Sequence, residues 1–375
     1  MSQELNIQPN MITWAIDRAG FQLDEFAQKF PKILNWLNGE KKPTVKQLED
    51  FSHRVHLPFG YLFLPEPPVE KPLIPFFRTG KGVAAKVSLN VQETVRLVKH
   101  RQDWLSEYLE ENEEEPLPFV GKFGLQNSPE EIAADIRATL KLSPDWASLF
   151  PNWSLAKAHL AQKIEDLGIV ISFNSVVENN NHRKIDPQEV RGFVLVDAFA
   201  PFLFVNSADS KAAQMFTMAH ELAHVWTGQS AGFDSRMMLP ADDPMEKLCD
   251  QAAAELLVPS QGFRNVWQET PQISLAARHF KVSEIVAARR ALDLGLIDKH
   301  YFFGFYNNFM NRHFEQKSIA AGGGDFYQTQ KVRLGLPFLV RLNQALKSGK
   351  ILHREVYQLT GLKGDTFSNV TQKLL

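Results

Sequence analysis

One stretch of the sequence restricts the fold and the chemistry of this chain more than any other. Residues 216–226 read Phe-Thr-Met-Ala-His-Glu-Leu-Ala-His-Val-Trp, which is the pattern His-Glu-x-x-His within a mostly apolar segment. On an α-helix, residues four apart lie one above the other, so His220 and His224 can point both imidazoles at one metal ion. Glu221 lies one step round the helix, where it can reach a water on that ion. The pattern predicts a zinc site with Glu221 as the general base.

The alternative is a core helix that carries two incidental histidines. We favour the metal site, because an apolar helix gains nothing from burying histidine and glutamate without partners. Zinc of this kind needs a third protein ligand. A second helix is predicted over residues 246–259, and its small residues permit close packing on the first. It offers three carboxylates among which spacing alone does not choose: Glu246, Asp250 and Glu255.

The bulk properties limit the class of protein. The 375 residues predict about two or three domains, and 44% hydrophobic with 22% charged residues is typical of a globular chain. A net charge of −2 gives no global basic field, so any DNA contact must be local. The single cysteine, Cys249, excludes an intramolecular disulfide. With no signal-peptide pattern and no long apolar run, we expect a cytoplasmic protein without membrane partners.

Residues 1–70 are predicted to form a small helical domain of helix-turn-helix type. Residues 36–44, Trp-Leu-Asn-Gly-Glu-Lys-Lys-Pro-Thr, resemble the helix-turn-helix of phage-repressor-like regulators. The segment between Ala27 and Trp36 is short for both the turn and a full recognition helix. DNA binding therefore stays open beside docking or formation of a homodimer. The candidate DNA contacts are Lys29, Lys32, Lys41 and Lys42.

The rest of the chain divides into three predicted parts. Residues 71–150 begin with prolines, which favour a stiff linker or strap, and continue as a helical scaffold. Residues 151–300 read as a helix, several strands and the metal helix, which predicts a twisted sheet packed over the site. This part ends in a second helix-turn-helix-like stretch or structural cap, in which Arg289 and Arg290 could contact phosphate. Residues 301–375 are predicted to be a helical domain. It contains a glycine run at 322–324, which is predicted to form a flexible loop.

Three separate features of residues 150–300 resemble the ImmA/IrrE family of metallopeptidases. They are the strand ending at Val205 and Asn206, the His-Glu-x-x-His helix, and the run Ala-Ala-Glu-Leu-Leu-Val-Pro at 253–259. The resemblance implies a zincin-like core and Glu246 as the third zinc ligand, because the family has a glutamate four residues before an asparagine. Asp250 stands here in place of that asparagine, so its hydrogen bond can differ.

The resemblance also implies a function. Family members are endopeptidases that cleave a repressor, and some relatives act as antitoxin-like regulators beside a partner toxin. We therefore expect a zinc endopeptidase acting on a repressor-like protein, or a regulator that binds DNA or a toxin. The expected fold class is α+β, mainly helical, with a zincin-like core, an N-terminal helix-turn-helix-like domain and a helical C-terminal domain.

Two further residues are candidates for substrate binding. His182 and Arg191 flank a strand that could border a substrate groove, and either could steady the oxyanion of a tetrahedral intermediate. A surface histidine and a structural arginine are the alternatives.

Overall fold

The computed structural model describes residues 4–70, 74, 76–77, 87–233, 243–315 and 325–375. The chain forms two compact units. The first comprises Met1–Leu73 with Lys86–Glu93, and the second comprises Ile74–Ala85 with Thr94–Leu375. The boundaries predicted at residues 150 and 300 both lie inside the second unit.

The first unit is a small helical cluster. Its four helices are α1 (Pro9–Arg18), α2 (Leu23–Lys29), α3 (Lys32–Leu37) and α4 (Val45–Arg54). Thr44 caps α4 through a reciprocal pair of hydrogen bonds with Gln47. The core is aromatic, and the ring of Phe51 meets those of Phe26 and Trp36 edge-on at 5.9 and 6.1 Å. Since α3 has only six residues, it is as short as the sequence suggested.

A mixed five-stranded sheet forms one layer of the second unit. Its strands are β1 (Phe76–Phe77), β2 (Val170–Asn174), β5 (Gly192–Leu195), β6 (Phe202–Asn206) and β7 (Ala231–Phe233), and two further strands, β3 (Val176–Val177) and β4 (Asn180–Lys184), make a separate hairpin. The spatial order is β1-β7-β5-β6-β2. The β1–β7 and β6–β2 pairs are parallel, whereas β5 is antiparallel to both neighbours. β2, β5 and β6 are buried throughout, which explains their continuous apolar sequences.

Helices make up most of the second unit. They are α5 (Leu89–Glu111), which starts in the first unit, α6 (Pro129–Leu140), α7 (Trp153–Glu165), α8 (Lys211–Thr227), α9 (Pro244–Leu257), α10 (Ser260–Glu269), α11 (Ile273–Phe280), α12 (Glu284–Asp293), α13 (Lys299–Glu315), α14 (Phe326–Leu334), α15 (Leu336–Lys347), α16 (His353–Thr360) and α17 (Gly364–Leu374). One apolar core extends from Phe119 to Phe309. The glycine run at 322–324 lies outside the described residues. Among those that are described, every helix is too short or too polar to cross a bilayer.

The helix α8 is fixed at both ends. Ser210 caps its start by accepting a hydrogen bond from the backbone N–H of Ala213. At its end, the backbone N–H groups of Gly121 and Phe123 donate to the carbonyls of Val225 and Trp226 at 3.0 and 2.9 Å. These bonds satisfy carbonyls that have no partner within the helix. The predicted mainly helical fold with a small sheet is thus observed, with α8 at its centre.

Candidate metal centre

The two histidines of α8 point at one place in the protein interior. Every residue of the segment 215–226 is buried, and His220 and His224 are 0% and 1% exposed. Their Nε2 atoms lie 3.1 Å apart. In a neutral imidazole one ring nitrogen donates and the other accepts, and with Nδ1 of His220 facing the carboxylate of Asp250, Nε2 of His220 carries a lone pair directed at this place. The four-residue spacing therefore brings the two nitrogens together as the helix geometry predicts.

The third group at this place is the carboxylate of Glu246 on α9. Its Oε2 lies 3.2 Å from Nε2 of His220, and its Oε1 lies 3.3 Å from Nε2 of His224. Asp243 caps the start of α9 by accepting from the N–H of Glu246, which holds this first turn in place. The three residues are buried, and their ligand atoms all lie within 4.8 Å of one another. This set could hold a metal ion.

The electrostatics of the set are those of a tightly coupled buried site. Burial alone would lower the pKa of His220, but hydrogen bonds to Asp250 and Glu246 outweigh it and raise this pKa well above its usual value. Burial lowers the pKa of His224. For Glu246, the two imidazoles overcome the opposing effect of burial and hold the pKa of the carboxyl far below its usual range. An anionic carboxylate facing two ring nitrogens is a suitable donor set for a cation.

Glu221 is buried beside this set without being part of it. Its side chain is 0% exposed, and neither carboxylate oxygen has a hydrogen-bond partner among the described residues. Burial raises the pKa of this carboxyl well above its ordinary value. A buried carboxylate without partners is costly and rare, and it is typical of sites whose partner arrives with a ligand or substrate.

The first residue of β5 makes room for Glu221. A Cβ atom at Gly192 would lie 3.6 Å from Oε1 of Glu221, 2.4 Å from Cγ2 of Thr217 and 2.6 Å from the carbonyl oxygen of Phe204. No side chain fits there, so the sheet and α8 approach as closely as a glycine allows. The sequence analysis missed this role, and its signal was a glycine at the start of a buried strand.

The position of β5 depends in turn on Asn206, a fully buried residue at the end of β6. Its Nδ2 donates to the carbonyls of Ile185 and Val190, at 3.0 and 3.1 Å. Its Oδ1 accepts from the N–H of Ala208. These bonds anchor the connection that leads into Gly192. The family-like asparagine that the sequence showed here is therefore a structural anchor.

Asp250 lies behind His220 rather than among the ligand atoms. Its Oδ1 lies 3.0 Å from Nδ1 of His220, the ring nitrogen that faces away from Glu246. A carboxylate at this place accepts the Nδ1 proton and so leaves Nε2 free to bind a metal. The substitution of aspartate for the asparagine of the family pattern keeps a hydrogen-bond acceptor at this position.

The third carboxylate that the sequence offered, Glu255, serves another purpose. It is ion-paired with Arg290, and it also accepts from the side chain and the backbone N–H of Ser260. Arg290 is 8% exposed and donates through Nε to the carbonyl of Val258 at 2.9 Å. The guanidinium of Arg290 is thus engaged inside the protein, and the idea that this residue contacts phosphate stays a prediction. Arg289 is partly exposed and pairs with Asp293 at 2.9 Å.

The remaining candidates lie at varied places. His182 is exposed on β4. Arg191 directly precedes Gly192, and its Nε lies 3.5 Å from Oδ2 of Asp209. Their proposed part in substrate binding stays a prediction. The four lysines named as DNA contacts are all exposed on the first unit: Lys29, Lys32, Lys41 and Lys42.

Comparison with known families agrees with this geometry. Residues 164–292 match the family model of the IrrE N-terminal-like domain, Peptidase_M78, and this range contains α8, α9 and the candidate ligands. The match indicates a metallopeptidase-type regulatory domain. Residues 334–373 match a domain of unknown function, DUF8813. No curated protein matches the chain.

Proposed function

We propose that this protein is a zinc-dependent endopeptidase that cleaves a transcriptional repressor or a related regulatory protein. The observation that carries the proposal is the convergence of His220, His224 and Glu246 beside Glu221, which is buried and has no hydrogen-bond partner in the described part of the chain. The family match over residues 164–292 supports a metallopeptidase-type activity. The repressor-like substrate rests on the resemblance to the ImmA/IrrE family.

The spacing of the donor atoms fits zinc. Bonds of roughly 2.0–2.1 Å in a tetrahedral arrangement separate neighbouring ligand atoms by about 3.3 Å. In the chain the two Nε2 atoms are 3.1 Å apart, one oxygen of Glu246 lies 3.2 Å from that of His220, and its other oxygen lies 3.3 Å from that of His224. Two imidazoles and one carboxylate also form a ligand set that catalytic zinc uses, with one position left for water or substrate.

The other steps of peptide hydrolysis are assigned to residues of the chain. A bound zinc would act as a Lewis acid that makes water more acidic and polarises the scissile carbonyl. Glu221 has both oxygens free to accept a proton from the attacking water and to return it to the leaving amine. Asp250 holds the ring of His220 in the orientation in which Nε2 faces the other ligands. Gly192 packs against one side of Glu221, where an added Cβ would lie 3.6 Å from Oε1.

Two single substitutions separate the base from the ligand. Glu221→Gln keeps the shape of the side chain but cannot take up the proton of water near neutral pH. We expect it to retain about one zinc per chain and to lose cleavage of the partner. Glu246→Gln should lose most of the zinc, because an amide oxygen is a poorer ligand than a carboxylate. The measurement is zinc content by elemental analysis, beside cleavage of the partner isolated from cells that carry each variant.

The His220→Ala, His224→Ala double variant is the matched control for metal loss. If this variant kept full zinc occupancy, the proposed site would be wrong. Wild-type cleavage by Glu221→Gln would reject Glu221 as the base and leave the metal site standing.

A second function is favoured by one observation, the exposed lysines of the first unit. A regulator that binds DNA or a toxin protein, as a monomer or a homodimer and with weak or no proteolysis, would use this surface. Under this alternative, Glu221→Gln would leave every regulatory effect of the protein unchanged. The same experiment therefore decides between the two functions.

A further inference from the structure

A cleft lies on the side of His220 that faces Asp250. Its volume is about 480 Å³, which is within the range of sites that bind small molecules. One wall is a face of α9, where Lys247, Asp250 and Ala254 follow one another at helical spacing. A face of α12, the starts of α6 and α10, and Phe216 on α8 complete the lining. The cleft is therefore built from five helices of the second unit.

Asp250 is shared between this cleft and the candidate metal centre. Its Oδ1 lies 3.0 Å from Nδ1 of His220, while its side chain is one-third exposed and lines the cleft. Of the residues that the structure describes, the lining includes neither the three candidate ligands nor Glu221. The cleft is thus separate from the proposed metal position, and one carboxylate connects the two.

The charged groups of the lining are only partly paired with one another. Both arginines of α12 that line the cleft form ion pairs with carboxylates of the chain. The side chains of Glu130 and Lys247 are exposed, and neither has an ion-pair or hydrogen-bond partner among the described residues. Oδ2 of Asp250 also lacks a partner in the described part of the chain. The cleft therefore presents two carboxylates and one ammonium group that a ligand could pair with.

The rest of the lining favours an apolar ligand body, because it includes Phe216, Ala254, Val286 and Leu294. A complementary ligand carries an ammonium group for the carboxylates, a carboxylate for the lysine and apolar groups between them. A short free peptide of apolar residues has all three, since both of its termini are charged near neutral pH. A purely anionic ligand would instead face two like charges.

We propose that this cleft binds a short zwitterionic peptide with apolar side chains, and that Asp250 transmits this binding to the metal centre. The binding site goes beyond the proposed endopeptidase function, and only the transmission rests on the proposed zinc site. The ammonium group of the peptide would donate to Oδ2 of Asp250. This contact weakens the hold of the carboxylate on the Nδ1 proton of His220 and makes the ring a poorer ligand.

The size of the effect is bounded by the loss of the whole carboxylate. Removing a partner of this kind weakens metal affinity 10- to 100-fold, so a competing ammonium group should weaken it about three- to tenfold. Linkage requires that zinc weaken the binding of the peptide by the same factor. The cleft would thus let short peptides lower the zinc affinity of the protein.

The first experiment varies the ligand and leaves the protein unchanged. The probe is the dipeptide leucyl-phenylalanine, titrated calorimetrically into the full-length, zinc-loaded chain, which carries Glu221→Gln so that the probe stays intact. We expect a dissociation constant of about 0.1 mM, typical of so small a ligand. The N-acetylated dipeptide and the dipeptide amide each lack one charge and should bind about three- to tenfold more weakly.

The second experiment changes the cleft. Ala254→Trp should fill it and abolish binding, because Ala254 is partly exposed on the α9 wall. Ala158→Trp is the matched control, since Ala158 is an exposed helical alanine outside the lining, and it should bind as the parent chain does. Lys247→Gln should weaken binding of the free dipeptide and leave binding of the dipeptide amide unchanged, because the amide has no carboxylate to lose.

The third experiment measures the transmission. Removing zinc with a chelator should tighten binding of the dipeptide about three- to tenfold. Equal affinities with and without zinc would overturn the transmission through Asp250.

The binding site itself would be overturned by equal binding of the free and blocked dipeptides, or by undiminished binding to the Ala254→Trp chain. Cleavage is measured separately, with fluorescein-labelled casein and with Glu221 intact. If the chain binds the dipeptide in the cleft but cleaves nothing, the binding site is supported while the endopeptidase function fails.

Discussion

At the scale of single residues, the contact between Asp250 and His220 leads to a prediction about the proposed metal site. Asp250 accepts the Nδ1 proton at 3.0 Å, and its side chain is one-third exposed. Removing such a partner typically weakens metal affinity 10- to 100-fold. We therefore expect Asp250→Ala to lose about one to two orders of magnitude in zinc affinity, measured by competition with a chromophoric chelator.

Asp250→Asn is the conservative partner of that variant, because its amide oxygen can still accept the Nδ1 proton. It should stay within a few-fold of the wild-type affinity. An Asp250→Ala chain that binds zinc as tightly as the wild type would show that the ring of His220 is held by other contacts.

A second prediction for a single residue concerns Gly192. A methyl group there would overlap Cγ2 of Thr217 and the carbonyl of Phe204, which belong to two different elements. We expect Gly192→Ala to lower the free energy of unfolding by about 1–3 kcal/mol, the usual range for overpacking a core. Urea denaturation of the zinc-free protein measures this change.

The control for that experiment is Gly304→Ala in α13, where an added Cβ meets nothing within 4 Å. This change should be neutral or slightly stabilising, because alanine restricts the unfolded chain and favours a helix. Similar losses from both substitutions would contradict the close approach at Gly192.

The residue scale also shows what the sequence could and could not predict about the site. The spacing of His220 and His224 predicts that both rings face one point, because helix geometry is local. Glu246 and Asp250 are one turn apart on α9, so spacing could not assign their roles. The roles follow from which ring nitrogen of His220 each carboxylate meets, and this depends on how α9 packs on α8. The sequence could not predict that Arg290 is buried either, because its ion-pair partner Glu255 is 35 residues away and is brought close only by helix packing.

At the scale of elements, one carboxylate joins α7 to the C-terminal helices. Oε1 of Glu165, the last residue of α7, accepts from the backbone N–H of Leu336 at the start of α15 at 3.0 Å. Burial raises the pKa of Glu165 from 4.5 to about 7, against the opposing effects of this hydrogen bond and of Lys331, while Asp166 adds to the rise. The junction therefore carries a group that titrates near neutral pH.

The sign of the pH effect follows from this raised pKa. The folded chain binds more protons at Glu165 than the unfolded chain between about pH 4.5 and pH 7. Its contribution to stability is thus complete below about pH 4.5 and is lost as the pH rises through about 7. Glu165→Gln should match the wild type at low pH and exceed its unfolding free energy above pH 7 by up to about 3 kcal/mol.

Urea denaturation at about pH 5 and about pH 8 measures this difference. Glu269→Gln, at an exposed glutamate in the same unit, is the control and should differ from the wild type equally at both values. A pH-independent difference for Glu165→Gln would show that the ionised carboxylate is tolerated at the junction.

The sequence predicted the helices and strands better than it predicted the contacts between them. Apolar runs predicted several strands between residue 151 and the metal helix, and β2, β5 and β6 lie there. The sequence did not reveal β1, because two residues form no periodic pattern and the strand exists only through its pairing with β7. The tail was predicted to be helical, and four helices follow residue 325 in the structure.

At the scale of the whole molecule, charge restricts how the protein could meet DNA. The net charge is −2, so binding would depend on a local patch. If the first unit binds DNA, replacing Lys29, Lys32, Lys41 and Lys42 by glutamine should reduce the slope of log affinity against log salt by up to about four. Filter binding or anisotropy over a salt series measures this slope.

Arg289→Gln is the comparison for that series, because Arg289 is the partly exposed arginine of the second candidate site. An unchanged slope in the lysine variant with a reduced slope in Arg289→Gln would move the contact to α12. Unchanged slopes in both would argue against DNA as a partner.

The sheet edge opposite β1 has a consequence for the solubility of shortened chains. The carbonyl of Arg333 accepts from the hydroxyl of Ser172 on β2, and Gly335 approaches so closely that a Cβ there would lie 2.6 Å from Cγ1 of Val170. The region that matches the domain of unknown function begins at this contact. Cutting the chain before α14 would bare a five-residue apolar strand, Val-Ile-Ser-Phe-Asn, with an unpaired outer edge. Because exposed strand edges pair with other chains, we expect a chain shortened in this way to aggregate more readily than the full-length protein.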